Sequence, residues 1–319
     1  MKVELPHKFF RPGTLVEPHI QGFVVAQGGL GDCIGLSTAI VYIAKHYKNV
    51  IGHVFTHDFF VPIMQNFLSD YPEWKVFELK ELTQDFLNKY PVKYPTHDPI
   101  GRLGASAVDL GFIYYLNMIT PKNENKYPKL KLDIDPSISW YSKHIVMTPI
   151  STNPMKRMGT LCFNRIKNYL IIKGYTPIFL GKSEYKSYYD LSGGLNFINY
   201  TDLISAAKLM AKSKLVIGID NGLLHLAACT HPDIIWGFTV SSPQHTQPKT
   251  KSLARITPIF PDKRTLSCRF CQSNMRFFGN EGIHNFNDGC FYKEEIPECV
   301  SERHLGDPKR WIKAIERFL

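Results

Sequence analysis

The chain lacks internal repeats and low-complexity segments, and its first residues show no leader of the basic, apolar and small-residue type. What remains is the composition of an ordinary globular protein. With 319 residues, 44% of them apolar, the chain can bury one large core or two medium ones. We expect a cytoplasmic protein, and a peripheral position at the inner membrane stays open.

A clean transmembrane run is also missing. The stretch that comes nearest is Val24–Ala44, VVAQGGLGDCIGLSTAIVYIA, which is almost wholly apolar but is interrupted by glycines and by Asp32. The apolar segments on either side of the glycines read as a strand and a helix, and each is too short to cross a bilayer. The sequence therefore predicts no transmembrane segment here.

Cysteines are few and odd in number. Three of the seven, Cys33, Cys162 and Cys229, lie in apolar surroundings and read as small core residues. An odd count with scattered positions does not indicate a disulfide framework, so we expect reduced thiols.

Acidic residues are outnumbered. The chain has 38 Lys and Arg against 28 Asp and Glu, a formal net charge of +10. This excess favours an anionic partner such as nucleotide phosphates, nucleic acid or an acidic membrane surface. The basic residues are dispersed along the chain, so charge alone does not choose among these partners.

Apolar segments of strand length alternate with segments of helical periodicity in both halves of the chain. The segments 22–27, 49–56, 144–150 and 176–181 read as strands, and 35–47 and 160–173 as helices. This alternation is typical of β-α-β units with a parallel sheet, so the predicted fold class is α/β. The segment 90–104 reads as a loop, and 121–139 as the crossing between the halves.

Asp32 stands within the first glycine cluster. The dinucleotide pattern G-x-G-x-x-G would need glycine at position 34, but the chain has Gly29, Gly31 and Gly35. A carboxylate beside a pyrophosphate would also be repulsive. Two interpretations stay open: Asp32 caps the helix that follows, or it lies exposed at the carboxyl end of a strand and acts as a general base.

A second glycine turn, GIDNGLLHLAA at 218–228, follows a strand in the other half. Asp220 or Asn221 can cap the following helix, and Gly222 lets a ligand approach the backbone. The amides of Gly222, Leu223 and Leu224 then suit a diphosphate. His225 faces the same anion or is an ordinary buried histidine. Lys156 and Arg157, on a loop after another strand, are phosphate contacts or a solvated pair.

Four further cysteines cluster near the end of the chain, in the pattern Cys268-x2-Cys271-x18-Cys290-x8-Cys299. Four cysteines opened by C-x-x-C fit a tetrahedral thiolate site for zinc or iron, with a structural role. The alternatives are two disulfides or four unrelated thiols, and His284 and His304 are substitute ligands.

The motifs occur together in a known order. The segments TPISTNPMKRMG (148–159), IKGYTPIFLGKSE (172–184) and IDNGLLHLAACTHPDIIWGFTVSSP (219–243) resemble those of glycosyltransferase family 9, the heptosyltransferase-like proteins. The glycine cluster around Asp32 resembles the N-terminal G-x-x-G-D segment of that family. The cysteine cluster resembles the finger of the autotransporter heptosyltransferase branch, in which four cysteines hold iron.

The resemblance implies a GT-B fold, with two Rossmann-like domains facing across a cleft. The expected division is an acceptor domain at 1–142 and a nucleotide-sugar domain at 143–319, which includes the cysteine finger (266–300) and a terminal helix (307–319). The resemblance further implies an inverting transfer without a catalytic divalent metal. Asp32 would be the base, Gly29 and Gly31 part of the acceptor loop, and Glu184 a contact to the ribose or base of the donor. Asn221 stands where the family usually has Thr or Ser.

The implied donor is a nucleotide-diphosphate sugar, with ADP-heptose favoured. The implied acceptor is an anionic glycan such as the lipopolysaccharide core, a glycolipid or a protein serine, and an oligomeric protein stays open. Two alternatives remain: a phage-type enzyme that glycosylates DNA, and a non-catalytic nucleotide- or nucleic-acid-binding protein with a zinc ribbon.

Overall fold

The computed structural model describes residues 19–26, 28–95, 106–121, 123, 126–134, 142–151, 156–182, 188–230, 233–246, 255–261 and 305–319, apart from the side chains of residues 244 and 245. These residues form two parallel sheets with helices packed on them, which confirms the predicted α/β class.

The first half contains a four-stranded sheet in the order β3-β2-β1-β4. The strands are β1 (His19–Val25), β2 (Val50–Thr56), β3 (Lys75–Glu78) and β4 (Val92–Lys93), and all their pairings are parallel. The helices are α1 (Leu30–His46), α2 (Val61–Phe67), α3 (Gln84–Lys89) and α4 (Ala107–Leu116), with short 3-10 turns at Asp58–Phe60 and Leu79–Glu81. The order places β1, and the turn that follows it, in the interior of the sheet.

The second half contains a six-stranded sheet in the order β10-β9-β8-β5-β6-β7, again with parallel pairings. The strands are β5 (His144–Thr148), β6 (Thr176–Phe179), β7 (Leu195–Asn196), β8 (Leu215–Ile219), β9 (Ile234–Gly237) and β10 (Ile256–Ile259). The helices are α5 (Thr160–Ile172), α6 (Leu203–Lys212), α7 (Gly222–Ala228), α8 (Pro243–Thr246) and α9 (Pro308–Ile315). Because β9, β8 and β5 are neighbours, the turns after these three strands meet at one edge of the sheet.

The start of α1 differs from the prediction. The helix begins at Leu30 rather than at Gly35, so Asp32 lies in its first turn. Gly35 therefore lies inside the helix. A glycine is needed at this position because any Cβ would lie 2.5 Å from the Cβ of Ala107, on the facing helix α4. The glycine therefore permits close packing of two helices and does not mark a helix end.

The middle of the chain contains structure that the sequence reading missed. The prediction of a continuous loop at 90–104 is wrong at its start, because β4 pairs there with β1 through Gly22 and Phe23. A two-residue strand gives no periodicity to detect, and only the neighbouring strand supplies its hydrogen bonds.

The core is continuous between the halves. One cluster of buried side chains includes Cys33 and Ile34 of α1 and Leu224 and Ala228 of α7. A second cluster lies on the other face of the six-stranded sheet and holds α9 through Ile315, which is fully buried. Burying one such side chain contributes about 1.5–3 kcal/mol. The predicted core cysteines Cys33, Cys162 and Cys229 are buried and unbridged, which confirms that prediction.

None of the helices among the described residues is long and apolar enough to cross a bilayer.

Candidate active site between the two sheets

Asp32 lies where β1 leads into α1. Its Oδ2 accepts a hydrogen bond of 2.9 Å from the backbone N–H of Gly29, the residue that caps the helix. Gly28 precedes this turn with a φ of 69°, a left-handed conformation that glycine adopts at little cost. The capping interpretation of Asp32 is therefore confirmed. Asp32 is partly buried rather than exposed, and its role as a general base stays a prediction. The side chain caps the helix, and it stands at the carboxyl end of a strand in the interior of the sheet.

The environment of Asp32 favours the protonated carboxyl. Burial raises the pKa of Asp32 above its ordinary value, although the Gly29 N–H and the charges of His225 and Lys156 act in the opposite direction. A carboxylate with a raised pKa is a stronger base than an ordinary aspartate. The carboxyl group is thus suited to accept a proton from a hydroxyl.

The turn that carries Asp32 touches the other half of the chain. A Cβ at Gly31 would lie 2.5 Å from Cδ2 and 2.7 Å from Nε2 of His225, in α7. A Cβ at Gly222 would lie 2.7 Å from the Cβ of Leu30. The two glycine turns therefore pack against each other. Gly222 is explained by this contact with Leu30, whereas the sequence had indicated only the approach of a ligand.

Asp220 is the centre of the cluster on the second half. It is 3% exposed, and its Oδ2 accepts hydrogen bonds from Lys156 Nζ at 2.8 Å and from the hydroxyl of Ser241. Its Oδ1 lies 3.7 Å from His225 Nε2. These partners follow the neighbouring strands β5, β8 and β9, which is why residues distant in sequence meet at this edge of the sheet.

The partners of Asp220 keep its carboxyl group ionised. Burial alone would raise the pKa of this carboxyl, but Lys156 and His225 together hold it well below its ordinary value. Asp220 is therefore an anion at neutral pH. Its role is to hold the Lys156 ammonium in place. The Lys156 side chain is 18% exposed, and an ammonium has three donors, so it can still bind a phosphate oxygen.

Asn221 caps α7. Its Oδ1 accepts a hydrogen bond from the N–H of Leu224 at 3.1 Å, and its Nδ2 donates to the carbonyls of Thr148 at 3.1 Å and Ile150 at 2.8 Å. The prediction that the Leu224 amide is available to a diphosphate is therefore wrong, because the cap occupies it. The side chain instead ties the start of α7 to the end of β5.

Arg157 lies beside Lys156 after β5. Its Nε donates a hydrogen bond of 3.0 Å to the carbonyl of Ser151. This bond ties Arg157 to Ser151, so the Nε edge of the guanidinium has a structural role.

Two members of the cluster were missed by the sequence reading. Tyr127, in the crossing segment, has its hydroxyl 2.7 Å from Nδ1 of His225. Ser241 bonds to Asp220, as described above. Neither lies in a local motif that names its partner, and Tyr127 is 98 positions from His225.

The structure thus brings together Asp32, Lys156, Asp220 and His225, and it places Gly29 and Gly31 in the turn that carries Asp32. Glu184 and the four cysteines, Cys268, Cys271, Cys290 and Cys299, lie outside the described residues. Within the described ranges, no group of three or more His, Cys, Asp or Glu side chains could hold a metal ion.

Residues 121–270 match the family model of glycosyltransferase family 9, the heptosyltransferases. Over these residues the chain is similar to glycosyltransferase family 9. The match spans a little less than half of the chain. It includes Lys156, Asp220 and His225 and excludes Asp32. No curated protein matches the sequence.

Solved structures of other proteins share the fold. The iron-containing dodecameric glycosyltransferase TibC from enterotoxigenic E. coli H10407 superposes with a TM-score of 0.70 at 15% identity, over 94% of this chain and 76% of TibC. A family 9 glycosyltransferase from Veillonella parvula gives 0.61 at 13% identity, over 96% and 98%. ADP-heptose LPS heptosyltransferase II of E. coli gives 0.57 at 16% identity, over 93% and 99%.

These similarities confirm the GT-B arrangement of parallel α/β sheets. The family match and these structures together support a glycosyltransferase. The cluster around Asp220 lies within the matched residues, and Asp32 lies in the part of the chain that precedes them.

Proposed function

We propose that the chain is an inverting heptosyltransferase that uses ADP-heptose. The observation that carries the proposal is the position of Asp32. A carboxyl with a raised pKa faces a buried lysine–aspartate pair on the opposite half of the chain. One side of this arrangement can accept a proton, and the other can hold an anionic leaving group.

The reaction that we infer is a single displacement. Asp32 accepts the proton of the acceptor hydroxyl while the acceptor oxygen forms a bond to the anomeric carbon of the sugar. The bond between that carbon and the diphosphate oxygen breaks, and the electron pair leaves with ADP. The configuration at the anomeric carbon is inverted because the oxygen attacks opposite the leaving group.

The donor would lie on the second half. Lys156 and Arg157 would stabilise the departing diphosphate with positive charge, as preorganised donors do for a developing anion. Asp220, Asn221 and His225 would fix the structure at this edge of the six-stranded sheet. The backbone amides of Gly222 and Leu223 would bind the phosphates. Glu184 would contact the nucleoside. Leu224 contributes packing rather than an amide donor, since its N–H is bonded to Asn221.

The identity of the donor is supported by relatives rather than by this chain. TibC has been solved in complex with ADP-D-β-D-heptose, with a TM-score of 0.69 at 15% identity. The E. coli heptosyltransferase WaaC has been solved with ADP, with a TM-score of 0.53 at 11% identity. We infer the same donor class here. The net charge of +10 supports an anionic acceptor, whether a lipopolysaccharide core, another glycan, a glycolipid or a protein serine.

Donor binding is tested by thermal unfolding with ADP-, UDP- and GDP-sugars. ADP-heptose at 100 times its Kd should add about 2.7 kcal/mol to the free energy of unfolding, because a ligand that binds only the folded state stabilises by mass action. Adenosine is the matched control, since it lacks the diphosphate that Lys156 would hold. A preference for UDP- or GDP-sugars would reject the ADP donor. No response to any of the nucleotide sugars would favour a binding protein without this activity.

The four cysteines at 268–299 are proposed to hold a structural zinc or iron ion. Four thiolates are a suitable donor set for either metal, and TibC is described as iron-containing and dodecameric. Elemental analysis of protein purified without added metal should find one zinc or iron per chain. A content far below one would contradict the assignment. We also infer two domains that divide at residues 142 and 143, and an assembly of several copies.

A further inference from the structure

Tyr127 links the crossing segment to the active-site cluster. It is 6% exposed, and its hydroxyl lies 2.7 Å from His225 Nδ1 and 2.8 Å from the carbonyl oxygen of Thr246 in α8. The same segment is fixed a few residues later, where the N–H of Leu130 donates to the carbonyl of Cys229 at 2.9 Å. The tyrosine is therefore held by α7 and α8, and its segment is fixed again at the residue that follows α7.

The hydrogen bonds of Tyr127 determine which imidazole nitrogen of His225 carries a proton. A carbonyl oxygen only accepts, so the single hydroxyl proton of Tyr127 must point to Thr246 for that contact to be a hydrogen bond. The hydroxyl oxygen then accepts from His225, which requires a proton on Nδ1. In the neutral imidazole this leaves Nε2 without a proton.

Nε2 is the nitrogen that faces the reaction site. It lies 3.7 Å from Asp220 Oδ1, and it is directed at Gly31, the residue before Asp32. The ionisable groups around the imidazole are Asp220, Lys156, Asp32, Tyr127 and, through the backbone carbonyl of His225, the thiol of Cys229. A positive charge on the ring lowers the pKa of Asp32. Protonation of Nε2, which makes the ring positive, therefore lowers the pKa of the Asp32 carboxyl.

We propose that Tyr127 is a positioning residue for the transfer reaction: it fixes the tautomer and orientation of His225, and thereby whether the Nε2 that faces Asp220 and the turn of Asp32 carries a proton. The role in catalysis rests on the proposed function, whereas the control of His225 does not. Tyr127 touches no reacting atom and acts through the imidazole.

The first test measures the imidazole directly. In wild-type protein labelled with ¹⁵N-histidine, the neutral ring of His225 should show a protonated Nδ1 and an unprotonated Nε2, with the signal assigned by its loss in His225→Gln. Tyr127→Phe removes the acceptor for Nδ1–H, so the neutral ring should change to the Nε2–H tautomer. Tyr115→Phe is the matched control. It also loses a buried hydroxyl that donates to a carbonyl, that of Val24 at 2.7 Å, and it should leave the His225 signals unchanged.

The second test measures transfer. Tyr127→Phe should lower kcat roughly tenfold, the effect of losing one hydrogen bond to a buried group, with donor KM changed less than twofold. Its pH–rate profile should shift on the acid limb, which a merely structural role would not move.

The outcomes separate the two proposals. A wild-type His225 with its proton on Nε2, or an unchanged tautomer in Tyr127→Phe, overturns the positioning role whatever the activity. The expected tautomers combined with no heptose transfer by the wild-type protein support the positioning of His225 and reject the proposed reaction. The expected tautomers with an unchanged pH–rate profile reject the role of Tyr127 in catalysis.

Discussion

Asp32→Asn should lower kcat for sugar transfer by roughly 10²- to 10⁴-fold, the range that a positioned general base contributes. An amide cannot accept the proton of the acceptor hydroxyl at neutral pH, whereas a carboxylate can. Donor binding should be unchanged, because Lys156 and the start of α7 lie on the other half of the chain. The measurements are initial rates with saturating donor and the thermal shift produced by ADP.

The variant should remain folded. The asparagine side chain still offers an oxygen to the Gly29 N–H, so the cap of α1 is preserved. The raised pKa of Asp32 means that its charge opposes folding above the pKa of the unfolded chain. Removing that charge should therefore leave the free energy of unfolding equal or higher at pH 7, with no gain at pH values low enough to protonate the aspartate in both states.

The same raised pKa sets the pH dependence of the wild-type enzyme. The proposed reaction needs the ionised carboxylate, so kcat should rise with pH through a value above the ordinary pKa of aspartate. In Asp32→Asn this acid limb should disappear from the residual rate. An acid limb at the same position in the variant would assign the titration to another group.

Asp109→Asn is the matched control for this experiment. Asp109 occupies the same position in α4 as Asp32 does in α1, and its carboxylate accepts from the N–H of the capping residue Ser106 at 3.0 Å. It should affect stability only. If Asp32→Asn transfers heptose as fast as the wild type, or if both variants lose activity equally, Asp32 is not the base.

Lys156→Met should destabilise the protein at pH 7 by about 3–5 kcal/mol, the usual cost of removing one partner from a buried ion pair. Asp220 is 3% exposed, so its charge would be left in the interior. The loss of stability relative to the wild type should shrink as the pH falls, because Asp220 can then take up a proton. A loss caused by packing alone would not shrink in this way. Urea unfolding at several pH values measures the effect.

The second expected loss is in donor binding. A charged hydrogen bond is worth about 1.5–3 kcal/mol, so the Kd for ADP should rise roughly 10- to 100-fold. Lys156→Met combined with Asp220→Asn should recover most of the stability, because the stranded charge is removed. It should recover none of the affinity. This difference separates the structural task of the ion pair from the binding of phosphate.

Lys167→Met is the control for a buried lysine. Lys167 donates to Asp190 at 2.6 Å, but that carboxylate is 56% exposed and stays hydrated when its partner is lost. The substitution should therefore cost less stability than Lys156→Met and leave the Kd for ADP unchanged. An unchanged Kd in Lys156→Met would remove this residue from the donor site.

The alternation of strands and helices was predictable because each element is encoded locally. The strands of the second half carry continuous apolar runs, and the helices begin at capping residues such as Asp202 before α6 and Asn221 before α7. The same preference is the basis of one of the two interpretations of Asp32, as a cap of α1. Its first-turn position was not predicted, because glycines at the start of a helix read as a turn when the facing helix is unknown.

The packing of the two glycine turns was not predictable. Gly222 read as an opening for a ligand, but Leu30 fills the space above it. Gly31 is small because His225 packs there. Each explanation needs the contact between α1 and α7, and no property of either segment alone indicates which side chain faces the glycine.

The sequence by itself determined the α/β class, the parallel sheets and the glycine turns that follow the strands, because periodicity, capping and glycine turns depend on neighbours a few positions away. The tertiary structure alone decided that Asp220 holds Lys156, that Asn221 occupies the amide of Leu224, and that Tyr127 fixes His225. These contacts join the ends of neighbouring strands and the crossing segment. They depend on the order of strands in the sheet and on the approach of the two halves, which local sequence does not encode.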